Sequence, residues 1–132
     1  MIKKANHTHI DSIYLLIDAN AKNTKLLPRS KEEIAEVIDS FYIFIKDNKV
    51  IGCCALEIYN KKLAEIRSLA VTSEHRNKGI AQKLIKVCVT EAKKKNVYKI
   101  LVVTDRVNLF ERQGFANCLN NQTALFLKYG NK

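Results

Sequence analysis

The segment "SEHRNKGIAQKL" (residues 73–84) places Arg76, Lys78 and a single glycine, Gly79, directly before a helical run of apolar residues. A helix start leaves about four backbone N–H groups without partners and carries roughly half a positive charge. Gly79 can adopt conformations closed to other residues and lets a ligand approach the main chain. Ala81 keeps the next turn small, while Asn77 and Ile80 complete the loop and Arg76 and Lys78 set mobile charge at its rim. Such a group can hold a pyrophosphate. It equally suits a solvated loop that happens to precede a helix, and one glycine does not separate the two readings. The second glycine and the Gly-Lys-Ser/Thr ending of a nucleoside-triphosphate loop are absent.

Other reactive types are sparse. Cys53, Cys54, Cys88 and Cys118 form no Cys-x-x-Cys pair, and His7, His9 and His75 complete no zinc set. No metal is expected, and the thiols read as buried and free in a reducing cytosol. Cys53 and Cys54, adjacent on one strand, must face opposite sides of it.

The elements around the loop follow from pattern and punctuation. Ile2 to Ala5 can open the fold as a short strand, and Ile10, Ile13, Leu16 and Ile17 recur at helical spacing. Ser30 followed by Glu33 is a capping box for a short helix carrying Ile34, Val37 and Ile38. "FYIFIKDNKVIGCCALEIY" holds two strands separated by Asp47-Asn48, a hairpin signal, and "KLAEIRSLAVT" is a third strand beyond the Asn60-Lys61 turn. From Gly79 a long helix carries Ile80, Leu84, Ile85, Val87 and Cys88. "YKILVVT" reads as a strand buried on both faces. "NLFERQGF" is a short helix stopped by Gly114, and "ALFLKY" reads as a last strand. The expected order is β-α-α-β-β-β-α-β-α-β in one α/β domain spanning residues 1–132.

Composition bounds the partners. A share of 47% apolar residues supports a core, and a formal charge of +10 calls for something anionic. Nucleic acid, an acidic membrane and a phosphorylated cofactor all meet that demand. No apolar run approaches the roughly 20 residues of a membrane span, and the N-terminus lacks a signal-peptide core. A soluble, cytoplasmic protein without a membrane partner is expected. Lys93 to Lys95 read as ordinary surface at a helix end. Without aromatic interleaving or a helix-turn-helix, a basic nucleic-acid-binding module is the weaker alternative.

Spacing sharpens the reading. Arg76-x-x-Gly79-x-Ala81, after "IRSLAVTSEH" and opening a long helix, resembles the Arg/Gln-x-x-Gly-x-Gly/Ala segment of the GCN5-related N-acetyltransferases (GNAT superfamily). The resemblance implies a mixed central β-sheet flanked by helices on both faces, with acetyl-CoA as co-substrate and its pyrophosphate wrapped by residues 76–81. It also implies a bulge in the preceding strand, with backbone donors at Leu69, Ala70 and Val71 meeting the thioester carbonyl and the pantetheine arm. Phe110 falls where many members carry a tyrosine acid, and Asn108 where an asparagine often lies near the pantetheine. An N-cap of the short helix is an equal reading of Asn108.

Within that superfamily "LLPRS" (26–30), "AEIRSLAV" (64–71) and "ILVVTDRVNLFERQGF" (100–115) are similar to the acetyltransferase domain of N-acetylglutamate synthases, in a short form without the kinase domain. That likeness implies acetyl transfer to the α-amine of a small acidic amino acid, L-glutamate above all, and so a place in arginine biosynthesis. Another small amine, a peptide N-terminus or a lysine is the alternative acceptor. Glu65 is then the general base, with pairing to Arg67 as its plain structural alternative. Leu69 N–H is the oxyanion donor, and Ser68 lines the acceptor side. Arg29, whose planar fork matches a carboxylate, binds the acceptor, and Thr104 and Arg106 are further pocket candidates. Arg67 stands where the synthases carry a small residue and can reach a second acidic group. The tail "ANCLNNQTALFLKYGNK" has no arginine, although longer synthases hold the glutamate side chain with a basic stretch there. Monomer and homodimer are both compatible with the chain.

Overall fold

Two residues in the left-handed region set the first hairpin. Asp47 and Asn48 have φ of 50° and 61° and join β2 (Phe41–Lys46) to β3 (Lys49–Asn60) in the geometry that matches strand twist. In this computed structural model, which describes residues 1–130, a strand β1 (Ile2–Lys4) adds to β2, and β4 (Leu63–Val71) adds to β3, all antiparallel. The long helix α3 (Ile80–Lys94) then crosses over, so that β5 (Ile100–Val102) joins β4 in parallel. The strand order is the chain order, β1-β2-β3-β4-β5. Helices α1 (Ile10–Asn23) and α2 (Lys31–Glu36) lie between β1 and β2 in the chain, and α4 (Val107–Glu111) follows β5. The capping box expected at Ser30 and Glu33 starts α2.

Strand alternation sorts the core into two layers. Ile13, Ile17 and Ile34, fully buried, pack with Phe41, Ile43, Cys53 and Ala55 on the α1/α2 side. Leu84, Ile85 and Cys88 pack with Cys54, Leu56, Ala64 and Ile66 on the α3 side. Burying each such aliphatic side chain stabilises the fold by about 1.5–3 kcal/mol. Cys53 and Cys54 face opposite layers, as alternation requires. Helix α3 comes close at Gly52, where an added Cβ would meet Ile80 Cγ2 at 3.1 Å and Leu84 Cδ1 at 3.2 Å. That approach holds the first turns of α3 against β3.

The expected bulge is present in β4. Cys53 pairs with Ala70 but Ala55 with Arg67, so β4 carries one residue more than β3 between them. Ser68 absorbs it with φ of 57°. The extra residue inverts the alternation: Glu65, Arg67 and Ser68 serve the α1/α2 side, and Leu69 and Val71 then pack on the α3 side.

Two expectations are corrected at the end of the chain. β5 is three residues long and half-buried, rather than a longer strand covered on both faces, because only β4 pairs with it. "ALFLKY" forms no strand: Leu125, Phe126, Leu127 and Tyr129 are 74–96% exposed. Strand propensity is realised only against a partner, and among the described residues the tail makes just an isolated bridge between Leu119 and Gln122. Asn131 and Lys132 lie outside the described residues. Among the described residues no helix is long and apolar enough to cross a membrane.

Candidate active site

The start of α3 is built as the sequence suggests. Gly79 is its N-cap with φ of 80°, no side chain caps it, and a Cβ added there would meet nothing within 4 Å. Asn77 is also left-handed, with φ of 62°. The uncapped N–H groups and this open approach fit an anionic group. They line a cleft of about 320 Å³ together with Val71, Arg76, Ile80, Ala81 and, from the α4 end, Arg106, Leu109 and Arg112.

Asn20, in the last turns of α1, ties this cleft to the fold and carries no signal in the sequence. Its amide donates to Leu16 O at 2.9 Å and to Val71 O at 3.3 Å, while its oxygen accepts from Arg76 Nη2 at 3.1 Å. One buried carboxamide thus joins helix, strand end and the arginine of the loop. Asn20→Ala should raise the acetyl-CoA KM about three- to tenfold, the worth of one positioning hydrogen bond, with kcat at saturation little changed. Initial-rate kinetics against acetyl-CoA measure it.

Beyond the cleft β4 loses its neighbour. Among the described residues β5 pairs with Ala64, Glu65 and Ile66, and Arg67–Val71 runs on with no strand on that side. The backbone of Leu69, Ala70 and Val71 lies along this gap, where an extended ligand can take the place of a strand. Phe110 is 3% exposed and stacks edge-on with Phe115, centroids 5.4 Å apart, in the α3-side core. It has no proton to give. Asn108 is not an N-cap, since Arg106 holds that position and the helix begins at Val107. Thr104 Oγ1 accepts from the backbone of Arg106 at 2.9 Å, so it shapes its own turn. Arg106, expected at the acceptor, stands on the wall of the cleft at the start of α3.

The acceptor candidates gather on the other face of the sheet. Arg29 is 8% exposed and donates to Ser68 Oγ at 3.3 Å. Its Nη1 also lies 2.9 Å from Glu57 Oε2, and Arg67 Nη1 lies 3.6 Å from Glu57 Oε1. Glu57 was not singled out in the sequence, where it reads as one polar position of an alternating strand. Glu65 sits directly across from it on β4. Glu65 is not paired with Arg67, which turns to Glu57; it accepts from the Tyr59 hydroxyl at 2.5 Å. Burial, and then the Glu65 carboxylate, push the Tyr59 phenol up to about 12, so it remains a donor at neutral pH. A larger cleft of about 600 Å³, between α1 and the β2–β3 turn, shares Asn20 and Arg76 but includes none of these acceptor-side residues.

A sheet that parts beside a bulge, with an anion-ready helix start at its mouth, is the architecture of enzymes that lay a phosphate-ended thioester along a strand edge. Residues 8–115 match the model of the acetyltransferase (GNAT) family. The chain belongs to that family, whose members take the acetyl group from acetyl-CoA. An uncharacterized N-acetyltransferase of Chlorobaculum tepidum is 36% identical over 114 residues, 86% of this chain and 74% of the relative. Amino-acid acetyltransferases of Buchnera aphidicola and Escherichia coli are 34% and 30% identical over 116 residues. The match spans 86% of this chain but only 26% of each of those longer relatives. Among solved structures, Rv2747 from Mycobacterium tuberculosis in complex with CoA and NLQ superposes with a TM-score of 0.84 at 24% identity, over 90% of this chain and 73% of that one. N-acetylglutamate synthase from Neisseria gonorrhoeae, complexed with coenzyme A and N-acetyl-glutamate, gives 0.77 at 23% identity, over 86% and 27%. At these identities the solved structures show a shared fold.

Proposed function

We propose that the protein acetylates the α-amine of a small amino acid, with L-glutamate the leading acceptor and arginine biosynthesis the corresponding role. The observation that carries this reading is the convergence of Arg29, Ser68 and Arg67 beside Glu65 on one face of the sheet. A carboxylate-binding fork next to a carboxylate that is in no ion pair among the described residues matches the two ends of an α-amino acid. The names of the amino-acid acetyltransferase relatives support the same class.

In this reading acetyl-CoA supplies the acetyl group as a thioester. The N–H groups at the start of α3, with Arg76, Asn77 and Lys78, hold its pyrophosphate, and the β4 backbone from Leu69 to Val71 holds the arm. The Leu69 N–H polarises the carbonyl. An ammonium whose pKa lies two to three units above neutrality is only about 0.1–1% free amine at pH 7. Glu65 therefore takes its proton, directly or through water, and the amine attacks the carbonyl carbon while the C–S bond breaks. The thiolate leaves without a side-chain acid at the Phe110 position, since a thiolate is a competent leaving group.

A second reading keeps the α-amino acid but gives it an uncharged side chain. It is favoured by Glu57, which offsets one of the two guanidiniums. A thiol-release assay with acetyl-CoA across the twenty amino acids, with polyamines and a lysine peptide added, tests both. Glutamate should give the highest kcat/KM. Turnover confined to polyamines or peptide lysine would sink the amino-acid reading and leave the fold untouched.

A further inference from the structure

Among the described residues Glu57 is the one buried carboxylate on the acceptor face, 9% exposed, and its two oxygens serve two different arginines. Its Oε2 takes Arg29 Nη1 and its Oε1 faces Arg67 Nη1. Arg29 leans on it heavily: its own Nε is buried with no hydrogen-bond partner, and Glu33 stands 3.8 Å away from that atom with an exposed side chain. Glu57 offsets one of the two guanidiniums, and the exposed Glu33 and the neighbouring Glu65 add further negative charge. At most one acceptor carboxylate finds an unmatched cation there. A second carboxylate, as on glutamate or aspartate, meets no further uncompensated cation among the acceptor-side residues described above. It must compete with Glu57 for the arginines.

We propose that Glu57 is a specificity-determining residue that rations the carboxylates the acceptor pocket can hold. It occupies the Arg29–Arg67 fork itself and so sets the preference between dicarboxylic amino acids and their amides. The inference rests on the reading of Arg29 and Arg67 as the carboxylate-binding side of an amino-acid site. Specificity here is a difference of affinities, so the repulsive element matters as much as the attractive one. Glutamine keeps Glu57's shape and one acceptor oxygen while removing its charge, which isolates the electrostatic part.

The test is the ratio of affinities for L-glutamate and L-glutamine, measured by isothermal titration into the CoA-bound protein. Because both ligands meet the same preparation, a loss of fold or of active fraction cancels. Glu57→Gln should move the ratio toward glutamate by about tenfold, the effect of one nearby charge at partial exposure. Arg67→Gln, on the more exposed guanidinium, should move it toward glutamine. The proposal is overturned by a ratio that stays put in both variants, by two shifts in the same direction, or by no binding of either ligand to any form. Should the ratios move as expected while thiol release with amino acids is absent, the fault lies with the proposed reaction and not with Glu57.

Discussion

Replacing Arg29 by alanine is expected to lower stability by about 3 kcal/mol and to raise the acceptor KM far more than that of acetyl-CoA. Arg29 and Glu57 have side chains only 6% and 11% exposed, with a 2.9 Å contact between them. Removing one member of such a pair leaves a charge in a poorly hydrated place, at about 3–5 kcal/mol. Arg67 still faces Glu57 at 3.6 Å, which keeps the loss near the lower bound. Urea unfolding reads the first effect and initial rates the second. The double change Arg29→Met with Glu57→Met separates them, because a well-packed apolar replacement of a buried ion pair is often neutral or stabilising. The double variant should regain most of the stability and none of the acceptor affinity. Wild-type acceptor KM in Arg29→Ala would remove this residue from the site.

The largest effect on rate is expected from Glu65→Gln, a fall in kcat of about 10²–10⁴ with the acetyl-CoA KM unchanged. Glutamine can still accept from the Tyr59 hydroxyl, so the local bond survives and only the proton-accepting charge is lost. In the variant only amine that has already lost its proton can react, so the remaining rate should climb toward alkaline pH, where the gap to wild type narrows. Thiol release followed from neutral to alkaline pH provides the test. A variant that keeps the wild-type rate at neutral pH would assign the proton transfer elsewhere.

Local grammar made much of the scaffold legible before any coordinates. Asp47-Asn48 announced a two-residue hairpin, Ser30 and Glu33 announced a helix start, and Gly79 marked the turn into α3. Each of these is settled by atoms within a few residues. Glu57 and Asn20 escaped notice for the opposite reason. Glu57 finds Arg29 across 28 positions, and Asn20 finds Val71 and Arg76 across 51 and 56. Neither looks unusual beside its own neighbours. Glu65 was legible through family likeness, but its partner was not, since Tyr59 reaches it only across the β3–β4 turn. The tail was misread for a related cause: "LFL" has strand chemistry, and chemistry alone does not supply a neighbouring strand.

The extra residue at Ser68 has a consequence for how this chain can vary in length. Arg67 and Ser68 share one face only because β4 holds one more residue than β3 across the bulge. Deleting it would restore strict alternation with Leu69 and Val71 still toward α3, and would leave one residue where Arg67 and Ser68 now stand side by side. Substitutions on either face leave that doubled position in place. A one-residue deletion at the bulge does not, so the length of this strand is itself a constraint on the candidate site.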